Sequence, residues 1–311
     1  MEAATARLGR RRKREKTYGS EERRLAGLLL TPAMAVIALV AAYPIGYAIW
    51  LSFNEYSVRT PGLSRWAGFR NYTEAFGSSE FWEAVKNTFI FTGISVTLEL
   101  AIGLGMAIAM HEAFRGRGLL RTVVLVPWAV LTVVSAITWR TLFEPNLGLA
   151  PQILDGIGIG GNIVWLGQEG YAMAVMVLAD VWKTAPFMAL LLLAGLQVIP
   201  DDVYDAAKVD GATTWQRFRR ITVPLLMPAI LVALIFRTLD ALRIFDLPFV
   251  LTGGSNGTTT LSLIAHQELT TNRLIGYGSA LSVLTFVIVM AVSFLYIRTV
   301  GGNIRSLAEE G

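Results

Sequence analysis

No cysteine occurs in the 311 residues, and histidine occurs only twice, at His111 and His266. The first absence excludes disulfides, thiol nucleophiles and cysteine metal sites, and it says little about compartment. The second leaves any metal or acid–base centre short of donors, because the two histidines lie far apart in sequence. Charge is also scarce: 16% of residues are Asp, Glu, Lys or Arg, against about 25% in a soluble domain. No G-x-x-x-x-G-K-[ST] stretch exists. The glycine-rich run Gly253-Gly254-Ser255-Asn256-Gly257 lacks the lysine of a phosphate loop. If ATP drives this protein, another chain binds it. Apart from a basic start, there is no low-complexity tract and no internal repeat.

What is abundant is apolar. Hydrophobic residues make up 54% of the chain and mean hydropathy is +0.53. About 20 residues cross the hydrocarbon core of a bilayer as a helix. Six stretches reach that length, near 25–53, 87–111, 119–143, 171–196, 224–250 and 277–299. They predict an all-α membrane protein with six transmembrane helices spread over residues 25–300. A basic segment, 1–24, precedes them and a short tail, 301–311, follows. The first apolar run is too long for the core of a cleaved signal peptide and has no small-residue cleavage site. Between the first two spans, Asn54 to Lys86 reads as an external cap with a short amphipathic helix.

The net charge of +4 invites a nucleic-acid reading, but the distribution of basic residues favours membrane topology instead. With the N-terminus inside, cytoplasmic segments hold 18 Lys and Arg and external segments 5. That asymmetry follows the positive-inside bias. It predicts cytoplasmic N- and C-termini, lipid as the surrounding medium, and no nucleic-acid partner.

Ionisable residues inside a membrane are costly and mark functional candidates. The fifth span carries Arg237, Asp240, Arg243 and Asp246, and the fourth carries Asp180 and Lys183. Asp180, Lys183, Arg237 and Asp240 fall at comparable depth, as expected of a polar cavity for a hydrophilic solute. Arg243 with Asp246 reads equally well as an internal pair. Glu99 is a weaker candidate, and Arg140 with Glu144, at i,i+4, predicts a pair at the rim. Trp182, Phe187 and Phe245 lie beside the polar set, where aromatic faces suit the CH faces of a sugar. Packing is the commoner role for such rings.

One segment between two apolar runs is polar and charged: residues 200–224, centred on DAAKVDGATTWQRFRRITVP. Its pattern predicts a helix, a glycine turn at Gly211 and a second helix over 214–222. Prolines then open the next span. This cytoplasmic elbow suits a lever that a soluble partner pushes. Asp205-Ala206-Ala207, Asp210-Gly211-Ala212, Phe218, Ile221 and Val223-Pro224 resemble the EAA loop of permease subunits in binding-protein-dependent ABC importers. Asp205 stands for the usual Glu and Val223 for Leu. Tyr43-Pro44-Ile45 with Trp50-Leu51-Ser52 resembles the first span of the maltose-type first permease subunit. Leu251-Thr252-Gly253-Gly254 resembles a turn of carbohydrate permeases. Residues 181–196 and 236–256 look most like the trehalose-importing branch of that family.

The resemblance implies a type I (MetI-like) importer permease fold and a non-catalytic role, as half of the path for a disaccharide, trehalose or a related α-glucoside. Implied partners are a second homologous permease, two ATPase subunits that hold ATP and Mg, and an extracytoplasmic sugar-binding lipoprotein, all at a bacterial inner membrane. Sugar contacts carried over from the maltose relative fall on Thr132, Lys183, Thr184, Phe187, Arg237, Asp240, Ala241 and Ile244; Asp180 joins them from the charge argument. Contacts to the ATPase fall on Asp205, Ala206, Ala207, Asp210, Gly211, Ala212, Phe218 and Pro224. The alternative reading is an ion-coupled secondary transporter using the Asp and Lys residues as relays, which leaves the elbow without a purpose.

Overall fold

The computed structural model describes residues 24–58, 65–112, 116–159, 161 and 163–309. The basic segment expected before the first span lies outside them, save for its last residue, Arg24. In chain order the helices are α1 (Arg24–Ser52), α2 (Arg70–Gly77), α3 (Ser79–His111), α4 (Arg117–Ala129), α5 (Thr132–Leu142), α6 (Leu149–Gly156) and α7 (Tyr171–Leu196). They continue as α8 (Asp201–Val209), α9 (Thr214–Ala241), α10 (Asp246–Leu251), α11 (Leu261–Thr270) and α12 (Ile275–Glu309). The only strands among the described residues are β1 (Asn54–Glu55) and β2 (Arg65–Trp66), an antiparallel pair in the segment expected to form a cap. The cap's expected helix is α2, whose Asn71 amide donates to the carbonyls of Ser52 and Asn54 and so closes the cap onto the end of α1.

Five helices, α1, α3, α7, α9 and the first part of α12, are long and apolar enough to span. The sixth expected span, 119–143, departs from a straight rod: α4 and α5 meet at 88°. Val130 and Leu131 are extended at the break, and Pro127 within α4 has already removed one ladder donor. The fifth expected span is also interrupted. α9 stops at Ala241, and the chain turns through 242–245 before α10. The tail expected from 301 begins inside α12, whose backbone stays helical to Glu309.

Prolines shape the helices in a second way. Residues Ala38–Ala42 in α1 and Phe218–Thr222 in α9 form single wide turns, closed by Tyr43 N–H to Ala38 and Val223 N–H to Phe218. Each ends two residues before a proline, Pro44 or Pro224. A proline ring collides with the carbonyl four residues back, and a widened turn moves that carbonyl aside. The helices therefore run through their prolines, and the elbow's second helix is continuous with the span.

α7 is the central helix. Of its most apolar stretch 61% is buried within the chain, against 33% for α3, α9 and α12 and 0% for α1. α3 and α7 approach closely at Gly103, where an added Cβ would lie 2.8 Å from Met188 Cγ and 3.2 Å from the Ala185 carbonyl. Only a residue without a side chain allows that approach, the usual device between membrane helices. Two apolar clusters stack along this axis. One, toward the elbow, contains Ala107, Met188, Leu192, Leu226 and Ile230. The other, toward the cap, contains Phe91, Ala136, Met176, Val181 and Leu247. The outward faces stay apolar, with Leu39 and Val40 of α1 and Phe236 of α9 all exposed. Lipid or other apolar chains are the medium for such surfaces.

Candidate functional site

Between the two apolar clusters three helices each contribute acid or base to one polar knot. α3 supplies Glu99. α7 supplies Asp180, Lys183, Thr184 and Phe187, one face at i, i+3, i+4 and i+7. α9 supplies Arg237 and Asp240, again three apart. Arg237 donates through Nε to Glu99 Oε2 at 2.5 Å and through Nη2 to Glu99 Oε1 at 2.9 Å, a two-point fork. Nη2 also pairs with Asp180, and Nη1 donates to Asp240 Oδ2 at 2.7 Å. Thr184 Oγ1 sits 2.6 Å from both Glu99 Oε1 and the Asp180 carbonyl.

Accessibility divides this knot. The side chains of Glu99, Arg237 and Asp180 are 0, 2 and 5% exposed, whereas that of Asp240 is 70% exposed. Asp180 and Arg237, expected on a cavity wall, are thus internal, and Arg237 is the shared partner of Glu99 and Asp180. Asp240 and the partly open Lys183 form the accessible edge. Lys183 Nζ donates to the Trp128 carbonyl at 3.3 Å. That acceptor is left over at the end of α4, since the last carbonyls of a helix have no internal donor. The indole of Trp128 stacks on Phe187, ring centroids 5.8 Å apart and 11° from parallel.

Thr132, the first residue of α5, stands at the 88° bend and is half-buried. Ile244 is half-buried in the turn after α9, where its carbonyl accepts from Thr260. Ala241 is fully buried in the cap-side apolar cluster and offers no surface to a solute in this arrangement. Arg243 does not pair with Asp246 and donates to the Leu239 carbonyl. Nor do Arg140 and Glu144 pair. Arg140 reaches the Val250 carbonyl, and Glu144 accepts from the backbone of Asn146 and Leu147. In both cases a nearby backbone group outcompeted an exposed ion pair, which is worth little in itself. Trp182 packs edge-on against Trp139, and Phe245 packs against Phe249 and His266.

The elbow's letters have local reasons. Asp201 and Asp202 face the positive end of α8, and Lys208 its negative end. Gly211 has φ +75°, and the N–H groups of Gly211 and Ala212 return to the carbonyls of Lys208 and Ala207. That closure of a helix end needs a left-handed residue at its second-last position, so glycine stands there. Thr213 and Gln216 then cap α9 reciprocally. The Tyr204 and Thr222 hydroxyls, 3.1 Å apart, fasten the two helices together. Asp205, Ala206 and Asp210 stay exposed and Ala207 turns inward. Hydrogen bonding from Lys208 at 2.8 Å, with its charge, holds the Asp205 carboxyl below the usual carboxylate range. Phe218 stacks on the exposed Trp215, and Pro224 is exposed after the wide turn.

Residues 101–300, which include this elbow and most of the knot, match the binding-protein-dependent transport system inner membrane component family. The chain belongs to that family.

Its relatives extend the likeness over nearly the whole permease. It is 42% identical over 280 residues to the trehalose transport system permease protein SugA of Mycobacterium tuberculosis, covering 90% of each chain. It is 43% identical over 279 residues to the trehalose/maltose transport system permease protein MalF of Thermococcus litoralis, covering 89% of this chain and 94% of that one. Among solved structures, a bacterial ABC transporter that imports the acidic polysaccharide alginate superposes with a TM-score of 0.77 at 23% identity, over 91% of this chain and 98% of the other. That last likeness shows the fold. Membership makes the chain the non-catalytic membrane subunit of an ABC importer and decides against the ion-coupled alternative.

Two features of the permease's knot escape a reading of sequence alone. Glu99 sits in an unbroken apolar run with no charge near it in sequence, so nothing local announces its partner 138 residues away. Trp128 follows Pro127 in a stretch that reads as span; the proline was the available signal that the helix ends there.

Proposed function

We propose that this permease forms half of the path for a neutral disaccharide, trehalose or a related α-glucoside, through an ATP-driven importer of a bacterial inner membrane. The observation that carries the sugar is the identity of 42 and 43%, over about nine-tenths of the chain, to permeases named for trehalose. The accessible edge agrees with it. Asp240 and Lys183 offer a carboxylate acceptor and an ammonium donor beside the Trp128–Phe187 stack, with Thr132, Thr184 and Ile244 nearby. Carboxylates outnumber cations in the knot, three to two, which disfavours an acidic saccharide. A second homologous permease completes the path, and an extracytoplasmic binding protein delivers the sugar. Two ATPase subunits hold ATP and Mg, and one of them receives the elbow at Asp205–Ala212. Nucleotide-driven closure then rocks the spans between inward- and outward-open states.

The test is uptake by the complete complex in proteoliposomes. Trehalose accumulation is expected only with hydrolysable ATP and loaded binding protein, without response to a sodium or proton gradient. Uptake of an acidic disaccharide in preference to trehalose would remove the substrate assignment. Orientation has its own check. A cysteine placed at Thr213 is expected to react only with a reagent supplied from the cytoplasm, and one at Asn256 only from outside. The opposite labelling overturns the proposed topology.

A further inference from the structure

The fork between Arg237 and Glu99 has a directional consequence. Glu99 is fully buried and touches no open surface, yet it takes the whole Nε/Nη2 edge of the guanidinium. Thr184 holds Glu99 Oε1 in turn at 2.6 Å. A guanidinium is planar, so fixing one edge fixes the direction of the remaining nitrogen. That nitrogen, Nη1, meets Asp240 Oδ2 at 2.7 Å on the last turn of α9. We infer that Glu99 is a positioning residue for substrate selection. Through Arg237 it presents Asp240 to the solute with Oδ2 occupied and Oδ1 turned to a sugar hydroxyl. The inference rests on the sugar reading above. With the Glu99 fork lost, Asp180 still holds Nη2, and about that contact the guanidinium can turn its Nη1/Nη2 edge toward Asp240 and engage both of that carboxylate's oxygens.

The charge count separates positioning from scaffolding. Arg237 has three carboxylates around it, so neutralising Glu99 still leaves two. No buried cation is orphaned, and Glu99→Gln keeps the shape and a hydrogen-bond acceptor. The variant is therefore expected to assemble, and the loss is expected in discrimination.

The experiment uses the complete complex, with trehalose and its monodeoxy analogues each supplied on a saturating excess of binding protein. In the wild type, at least one monodeoxy analogue is expected to enter slower by about tenfold or more, the worth of a hydrogen bond to a charged group. In Glu99→Gln that ratio is expected to collapse to within about twofold, with trehalose itself slowed to the analogue's rate. Asp240→Asn is expected to reproduce the collapse, and Glu99→Asp, which keeps the charge, to restore part of the ratio. Wild-type selectivity in assembled Glu99→Gln overturns the inference, as does uptake lost only in proportion to lost assembly. Equal transport of all analogues by the wild type also overturns it. A wild-type complex that ignores trehalose altogether instead removes the sugar reading beneath it.

Discussion

Arg237→Met is expected to leave the permease unable to assemble stably with its partners. The substitution keeps an unbranched apolar stem but removes the cation that separates Glu99, Asp180 and Asp240, two of which are buried. Breaking a buried ion pair by deleting one partner costs about 3–5 kcal/mol. At roughly 2–4 °C per kcal/mol for a chain of this size, the complex should melt about 10 °C lower or fail to form. The control is a triple variant, Arg237→Met with Glu99→Leu and Asp180→Leu, in which no buried charge remains. Replacing buried ions by apolar groups of similar volume is often neutral or stabilising, so the triple variant should recover stability and still not transport. The swap Arg237→Asp with Asp240→Arg is expected to rescue nothing, because it turns a new carboxylate onto Glu99 and Asp180. Thermal melting of the purified complex, read beside sugar-stimulated ATPase activity, decides the matter. An unshifted melting temperature for Arg237→Met, or full rescue by the swap, would show that the knot is not the tie between α3, α7 and α9.

The second large effect is expected at the elbow, with the opposite signature. Gly211→Pro forces φ near −65° at a position that has +75°. It also deletes the N–H that bonds to the Lys208 carbonyl at 3.1 Å. The end of α8 then opens and its exposed face, Asp205, Ala206 and Asp210, turns away from where α9 holds it. The apolar clusters lie elsewhere, and an added Cβ at this position meets nothing within 4 Å. The protein should therefore remain folded and in the membrane, while ATP hydrolysis by the assembled complex no longer responds to loaded binding protein. Uptake should fall by two orders of magnitude or more, roughly the effect of about 3 kcal/mol of lost coupling. Gly211→Ala should cost far less, on the order of 1 kcal/mol of local strain. Wild-type uptake by assembled Gly211→Pro would take the coupling role away from this turn.

These two regions were not equally legible. The elbow's two helices and its turn at Gly211 could be read from the sequence, because the glycine break, like the caps and dipole charges found beside it, acts within a few residues. Five spans were legible for the same reason, since crossing a bilayer needs only an uninterrupted apolar length. Where a span is interrupted by neighbours, reading by length failed. Residues 119–143 have the composition of one rod, yet Val130 and Leu131 are extended and the two halves meet at 88°. Nothing in the hydropathy of Val130 or Leu131 distinguishes them from helical neighbours.

The charges show the boundary most clearly. By itself the sequence determined that Asp180, Lys183, Arg237 and Asp240 share a depth, because the 1.5 Å rise of a helix converts position into height. Class followed from the same kind of local regularity, and the family was indicated by the resemblance of the elbow at residues 205–224. Which charge meets which was decided only by tertiary structure. α3 approaches α7 closely enough at Gly103 to bring Glu99 against Arg237, and a two-point pair held in a buried site outweighs exposed neighbours such as Arg243 and Asp246. The knot's division into a buried tie and an open edge at Asp240 follows from that packing. A pair separated by 138 residues is made by the meeting of helices, and that meeting depends on shapes distributed over the whole bundle.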